Sequence, residues 1–126
     1  MGLDMYAFAV KATKDMPDVD FKPEENSSVE LAYWRKFNHL HGWMEQLYRA
    51  KGGAKASFNC TTVRLDEKDL DNLMHAIGTD KLVHCPGFFF GGEEMYAEDI
   101  ASAVRFIYKA RAAIAGGMAV FYDSWW

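Results

Sequence analysis

Residues 27–50, SSVELAYWRKFNHLHGWMEQLYRA, carry the strongest periodic signal in the chain and set how the rest is read. Ser27 with Glu30 three positions on has the S-x-x-E form of a capping box, in which each side chain satisfies an orphan amide of a first helical turn. Tyr33, Phe37, Leu40, Met44, Leu47 and Tyr48 follow with the three-and-four spacing of a core-facing stripe. Lys51-Gly52-Gly53 then supplies a glycine stop. The spacing predicts one helix from Ser27 to about Ala50. Gly42 inside it costs about 1 kcal/mol relative to Ala, which points to close packing at that position.

Working outward, residues 3–10 form an apolar run with aromatic and small residues on both alternating faces, the pattern of a strand covered on both sides. Residues 58–65, with Thr61, Thr62 and Val63, read as a second strand. Asp66 offers an N-cap to a short helix whose stripe is Leu70, Leu73, Met74 and Ile77 and whose end is Gly78. A third helix starts near Ala97, turns Ile100, Val104, Ile107 and Ile114 to one side, and stops at Gly116-Gly117. Residues 118–126 close the chain as an aromatic-rich strand. Between these elements lie a polar loop at 11–26, with Pro17 and Pro23, and an irregular stretch at 79–95 containing Gly87-Phe88-Phe89-Phe90-Gly91-Gly92. The order predicts one α+β domain over residues 1–126, a small mixed sheet packed with about three helices.

Composition narrows the class of function. A chain of 126 residues that is 50% hydrophobic and 25% charged has enough apolar material for one core and is not a disordered segment. Fourteen Lys and Arg stand against 18 Asp and Glu, a formal net charge of −4, which argues against a direct nucleic-acid binder. Cys60 and Cys85 are too few for a disulfide framework and fit a reducing compartment. No apolar run is long enough to span a membrane, and the first residues lack the form of a signal peptide, so the expectation is a soluble protein of the cytoplasm. Nine Phe, six Tyr and four Trp exceed what so small a core needs.

Several groups of residues carry usable chemistry. On a helix through 27–50, Trp34, Asn38 and His41 share one face, with Arg35 and His39 beside it. Asn38 and His41 on that face either satisfy buried backbone groups or bind a ligand, with proton transfer by His41 as a further option. His39 and His41, two apart, point to opposite sides of a helix and cannot chelate one ion, and His84-Cys85 with Cys60 lacks a metal-ligand spacing. No metal or cofactor is expected. The three phenylalanines at 88–90 either anchor their loop in the core or line a groove, and their setting matches neither a phosphate loop nor a dinucleotide turn. Glu93, Glu94, Glu98 and Asp99 suit the positive end of the third helix, or else form an acidic rim facing Arg35 or a basic partner. In residues 121–126, FYDSWW, alternation puts Asp123 and Trp125 on one face and Tyr122 and Ser124 on the other. Trp125 and Trp126 must dock or meet a partner.

Four blocks also resemble a small protein family associated with bacteriophages, prophages and plasmids. They are Met1-Gly2-Leu3-Asp4-Met5-Tyr6, Glu30-Leu31-Ala32-Tyr33-Trp34-Arg35-Lys36 continuing through Asn38 and His41-Gly42-Trp43, Gly87-Phe88-Phe89-Phe90-Gly91, and Tyr122-Asp123-Ser124-Trp125. The blocks keep the same order and span nearly the whole chain. The resemblance implies a genomic setting rather than a reaction. It groups Asp4, Trp34, Arg35, Asn38, His41 and the Tyr-Asp-Ser-Trp segment into one shared feature.

Two readings of function follow from different classes. The first is a non-enzymatic accessory protein of a phage or mobile element that binds a host protein or complex, with counter-defence of the anti-CRISPR type as one form. Its binding residues would be drawn from Asp4, Trp34, Arg35, Asn38, His41, Tyr122, Asp123, Trp125 and Trp126. The second is a small-molecule site or nucleotide hydrolase in which Trp34 and Tyr122 stack a base, Arg35 holds an anion, and His41 with Asp4 or Asp123 moves a proton. That pocket requires Asp4, Arg35, Asn38, His41 and Asp123 to converge on one cavity. A homodimer built on exposed aromatics is a third arrangement.

Overall fold

The computed structural model describes residues 2–87 and 90–126. Its elements are the strand β1 (Asp4–Lys11), the strand β2 (Val29–Arg35), the helix α1 (Asn38–Ala50), the strand β3 (Val63–Leu65), the helices α2 (Glu67–Gly78) and α3 (Ala97–Ala115), and the strand β4 (Met118–Trp125). The strands form one sheet in the order β2-β1-β4-β3, and each of the three pairings is antiparallel. The α+β class with three helices is therefore as the sequence indicates. The sheet is antiparallel where a mixed one was expected.

The main departure falls on residues 27–50. They form two elements, a strand and then a helix. The Ser27 hydroxyl donates to the Glu24 carbonyl and caps no helix, and Val29–Arg35 pairs with β1 in a register that sets Asp4 opposite Arg35, Met5 opposite Trp34 and Tyr6 opposite Tyr33. Valine, leucine, tyrosine and tryptophan in this segment suit a pleated surface as well as a helical stripe, and the long partner β1 decides between them. Lys36 takes a left-handed backbone (φ 57°) that ends the strand, and the helix starts at Asn38. From there the predicted stripe holds, with Phe37, Leu40, Met44 and Tyr48 buried. Tyr33, assigned to that stripe from its spacing, is instead 49% exposed on the sheet. Gly42 is the close approach expected of it, since a Cβ there would lie 2.9 Å from the Cys85 Cβ.

Elsewhere the strand expected over 58–65 contracts to Val63–Leu65, because Cys60 adopts a left-handed backbone (φ 58°) and bends the chain just before it. Asp66 caps α2 as predicted, in a capping box closed by Asp69. The sheet has a core on each face. Met5, Ala7 and Ala9 of β1 and Val120 and Tyr122 of β4 meet the three helices on the inner face. Phe8, Val10, Ala119 and Phe121 form a smaller cluster on the outer face, covered by Ala12, Met16 and Phe21 from the loop after β1. No helix among the described residues is long and apolar enough to cross a membrane.

Candidate functional site

The period-two alternation of the strands sorts the nine candidate residues onto the two faces of the sheet. Asp4, Arg35, Asp123 and Trp125 lie outside, while Trp34, Asn38, His41 and Tyr122 lie inside among the helices. Trp126 follows β4 and reaches both sides. Its ring packs at a right angle to His41, centroids 5.0 Å apart, and it also lines a hollow at the sheet's rim with Gly2, Asp4 and Trp125. The five residues required by the nucleotide pocket do not converge on one cavity: Asn38 and His41 are buried inside, and Asp4, Arg35 and Asp123 face outward. Trp34 and Arg35 leave the helix face assigned to them because β2 is a strand.

The inner group is a sealed polar cluster in an aromatic shell. His41, fully buried, places Nδ1 2.7 Å from the Tyr122 hydroxyl. Its ring is surrounded by Phe58, Phe90, Tyr122 and Trp126, with centroids 5.0–6.0 Å away. Nε2 has no hydrogen-bond partner among the described residues. Burial lowers the His41 pKa to about 4, so the ring is neutral at pH 7 and accepts from the Tyr122 hydroxyl. Burial pushes the Tyr122 hydroxyl well above its ordinary range, partly offset by a hydrogen bond from Ser124.

Asn38 works as a staple for the irregular stretch. Its amide donates to the carbonyls of Phe90 and Gly92, and its oxygen accepts from the Cys85 amide and lies 3.0 Å from His84 Nδ1. Phe90 is buried in the core, as the anchoring reading expects; Phe88 and Phe89 lie outside the described residues. Trp34 donates from its indole to the Ser102 hydroxyl at 2.9 Å and packs edge-on against Phe106, joining β2 to α3.

The outer group differs in exposure. At one end of the face Phe8 and Phe21 stack on Phe121, with ring centroids 5.7 and 4.6 Å away, so that half is covered. At the other end two rows run across the strands, Trp125–Asp4–Arg35 and Asp123–Tyr6–Tyr33, in which Trp125, Arg35 and Tyr33 are exposed and Asp4, Tyr6 and Asp123 are half-buried. Trp125 is 62% exposed. The Tyr33 hydroxyl donates to Asp4 at 2.6 Å, which raises its own pKa, and the Arg35 guanidinium lies 3.8 Å from the same carboxylate. Burial and the nearby carboxylates of Asp4, Glu30 and Asp123 raise Tyr6, a sign that this face is locally negative. Partial burial also raises Asp123, against a hydrogen bond from the Ser124 amide and the charge of Lys22.

Tyr6, Tyr33 and Glu30 belong to this open face, yet sequence reasoning did not place them there. For Tyr33 and Glu30 the signal is the alternation in 29–35, hidden by the competing helical spacing; for Tyr6 it is the alternation of β1. The acidic cluster divides as its two readings suggest. Asp99 caps the Tyr96 amide and Glu98 pairs with Arg105, while Glu93 and Glu94 line a hollow that also contains Arg35 and Lys36. Among the described residues no three His, Cys, Asp or Glu side chains are grouped to hold a metal ion. An apolar hollow of about 260 Å³ runs between α1 and residues 81–86, and Trp43, Leu82, Val83 and Cys85 line it. No known protein family, curated protein or solved structure matches the chain.

Proposed function

We propose that this chain is a binding protein of a phage or related mobile element, which acts in the bacterial cytoplasm by docking on a host protein or complex. The observation that carries the reading is the open half of the outer sheet face. There Trp125 and Tyr33 stand exposed beside Tyr6, with Arg35, Asp4 and Asp123 between them. Tryptophan, tyrosine and arginine dominate the binding energy of protein interfaces, because each pairs a large apolar surface with a polar tip. Set on paired strands, they are held in place before binding and lose little freedom on association. The resemblance of the four sequence blocks to phage, prophage and plasmid proteins supports the setting and makes counter-defence, anti-CRISPR inhibition included, the role to test first.

A binding role is favoured over a catalytic one by the state of His41, which is neutral, fully buried and walled by four aromatic rings. The test is capture of partners from bacterial lysate on immobilised wild type and on a Trp125→Ala/Tyr33→Ala variant. A partner retained by wild type and lost by a variant of unchanged melting temperature supports the reading. Identical partners on both, or none on wild type, overturns it.

A further inference from the structure

The uncovered edge of the sheet beside α3 carries an inference that deepens this reading. β2 is the last strand on its side of the sheet and is seven residues long. Among the described residues, no backbone hydrogen bond joins Val29–Arg35 to anything but β1. A groove of about 150 Å³ runs along it, lined by residues 31–34 of the strand and by Ser102, Arg105 and Lys109 of α3. Successive strand residues point to opposite faces, so a groove lined by four in a row follows the strand's edge and its main-chain groups. The floor is fixed, because the Trp34 indole donates to Ser102 and its ring packs against Phe106. An edge strand of this length is a template for another strand, which natural proteins usually block with proline, lysine or a cover. The bulge at Ala7/Phe8 leaves Leu31 as the extra residue of β2, so the regular stretch of the edge runs over residues 32–35.

We propose that this groove binds an extended segment of the partner protein, which adds to β2 as a further antiparallel or parallel strand and turns carboxylate side chains toward α3. The main chain of β2 would supply affinity through its unused donors and acceptors, as in other cases of strand addition. Charge selects the occupant. Arg105 and Lys109 line the helix side of the groove, a basic margin in a chain whose net charge is −4. The pair that Arg105 makes with Glu98 is exposed, so an incoming carboxylate can compete for its guanidinium. A second copy paired edge to edge would bring this basic margin against itself, whereas an acidic segment complements it. The side chains of the added strand that face away from α3 would continue the row of Tyr33 and Arg35, so edge and open face form one surface.

The inference rests on the chain being a binding protein, and its test is separable from that reading. The probe is a capped seven-residue peptide of alternating threonine and glutamate, the length of β2, titrated into the isotope-labelled chain with amide NMR shifts as readout. Shifts concentrated on β2 and α3 are expected. Binding should be about tenfold weaker for the same peptide with lysine in place of glutamate, and for an Arg105→Glu/Lys109→Glu variant that keeps its melting temperature. A peptide methylated on alternate backbone nitrogens should not bind, because it cannot complete the ladder. The peptide titration reads the edge and lysate capture reads the open face. Val83→Ala, at an exposed side chain outside both, should leave peptide affinity unchanged. Equal binding of the methylated peptide, shifts elsewhere, no binding at all, or a chain that sediments as a dimer through β2 would each overturn the proposal.

Discussion

Tyr122 and Asp123 are neighbours on β4, yet one sets its hydroxyl against His41 in a sealed interior and the other stands beside half-buried Tyr6 on the opposite side of the sheet. The contrast runs through the whole molecule. Inside, aromatic rings are packed on all sides around the pair of His41 Nδ1 and the Tyr122 hydroxyl. Outside, at the same end of the strands, aromatic rings of similar size are left in water next to charges. The inner group accounts for stability, and the outer group contributes little to the fold that would explain its exposure. The difference teaches that an excess of aromatic residues is not one feature. A strand's two-residue period divides it, and only the half facing water has surface to offer a partner.

The comparison breaks first if the inner group can be removed cheaply. Phe58→Ala, at a fully buried ring that touches His41, Tyr48 and Tyr122, should cost about 3–5 kcal/mol in urea unfolding. A loss below about 1 kcal/mol would mean that the interior is not close-packed there. Acid gives the next largest effect. His41 binds its proton less readily in the fold than in the unfolded chain, so its contribution is complete above about pH 6.5 and fades as pH falls toward about 4. The full span corresponds to roughly 3 kcal/mol. Asp123, raised by burial, works in the opposite direction at low pH, so the difference between wild type and a His41→Phe variant isolates the histidine. The variant should be flatter over this range; parallel profiles would show that His41 is not buried.

Tyr122→Phe should cost about 1–2 kcal/mol, since it leaves His41 Nδ1 buried without its donor. Asp4→Asn removes one partner from the exposed Tyr33 and Arg35 contacts and should change stability by no more than about 1 kcal/mol. The smallest effect belongs to Trp125→Ala, within about 0.5 kcal/mol by thermal or urea unfolding, because the ring lies largely in water. A larger loss would move Trp125 into the structural group and dissolve the contrast between the faces.

Much of the fold is legible in the chain because its punctuation is strong. Asp66 caps α2, Gly116-Gly117 ends α3, and the second half of the apolar run, residues 7–10 of β1, is buried on both faces. Residues 27–35 are misread for a definite reason. Tyr33, Phe37 and Leu40 satisfy helical spacing while Tyr33 and Arg35 also satisfy strand alternation, and only the tertiary pairing with β1 separates the two. That one error moves Trp34 and Arg35 from a helix face to opposite sides of a sheet, and with them the candidate pocket. The β4 alternation of Tyr122, Asp123, Ser124 and Trp125 is readable, because a strand with one uncovered end needs no partner to show its period. Which face lies open is not readable, since it depends on how far the loop after β1 reaches, and that is set by where Met16 and Phe21 dock.

The most direct measurement of the central claim compares partner capture and melting temperature for wild type, Trp125→Ala/Tyr33→Ala and Tyr122→Phe side by side. The two faces predict opposite outcomes: the outer variant keeps its melting temperature and loses the host partner, while the inner variant melts lower and keeps the partner below its own transition. An outer variant that still captures the partner, or an inner variant that loses it while folded, would contradict the assignment of binding to the open face.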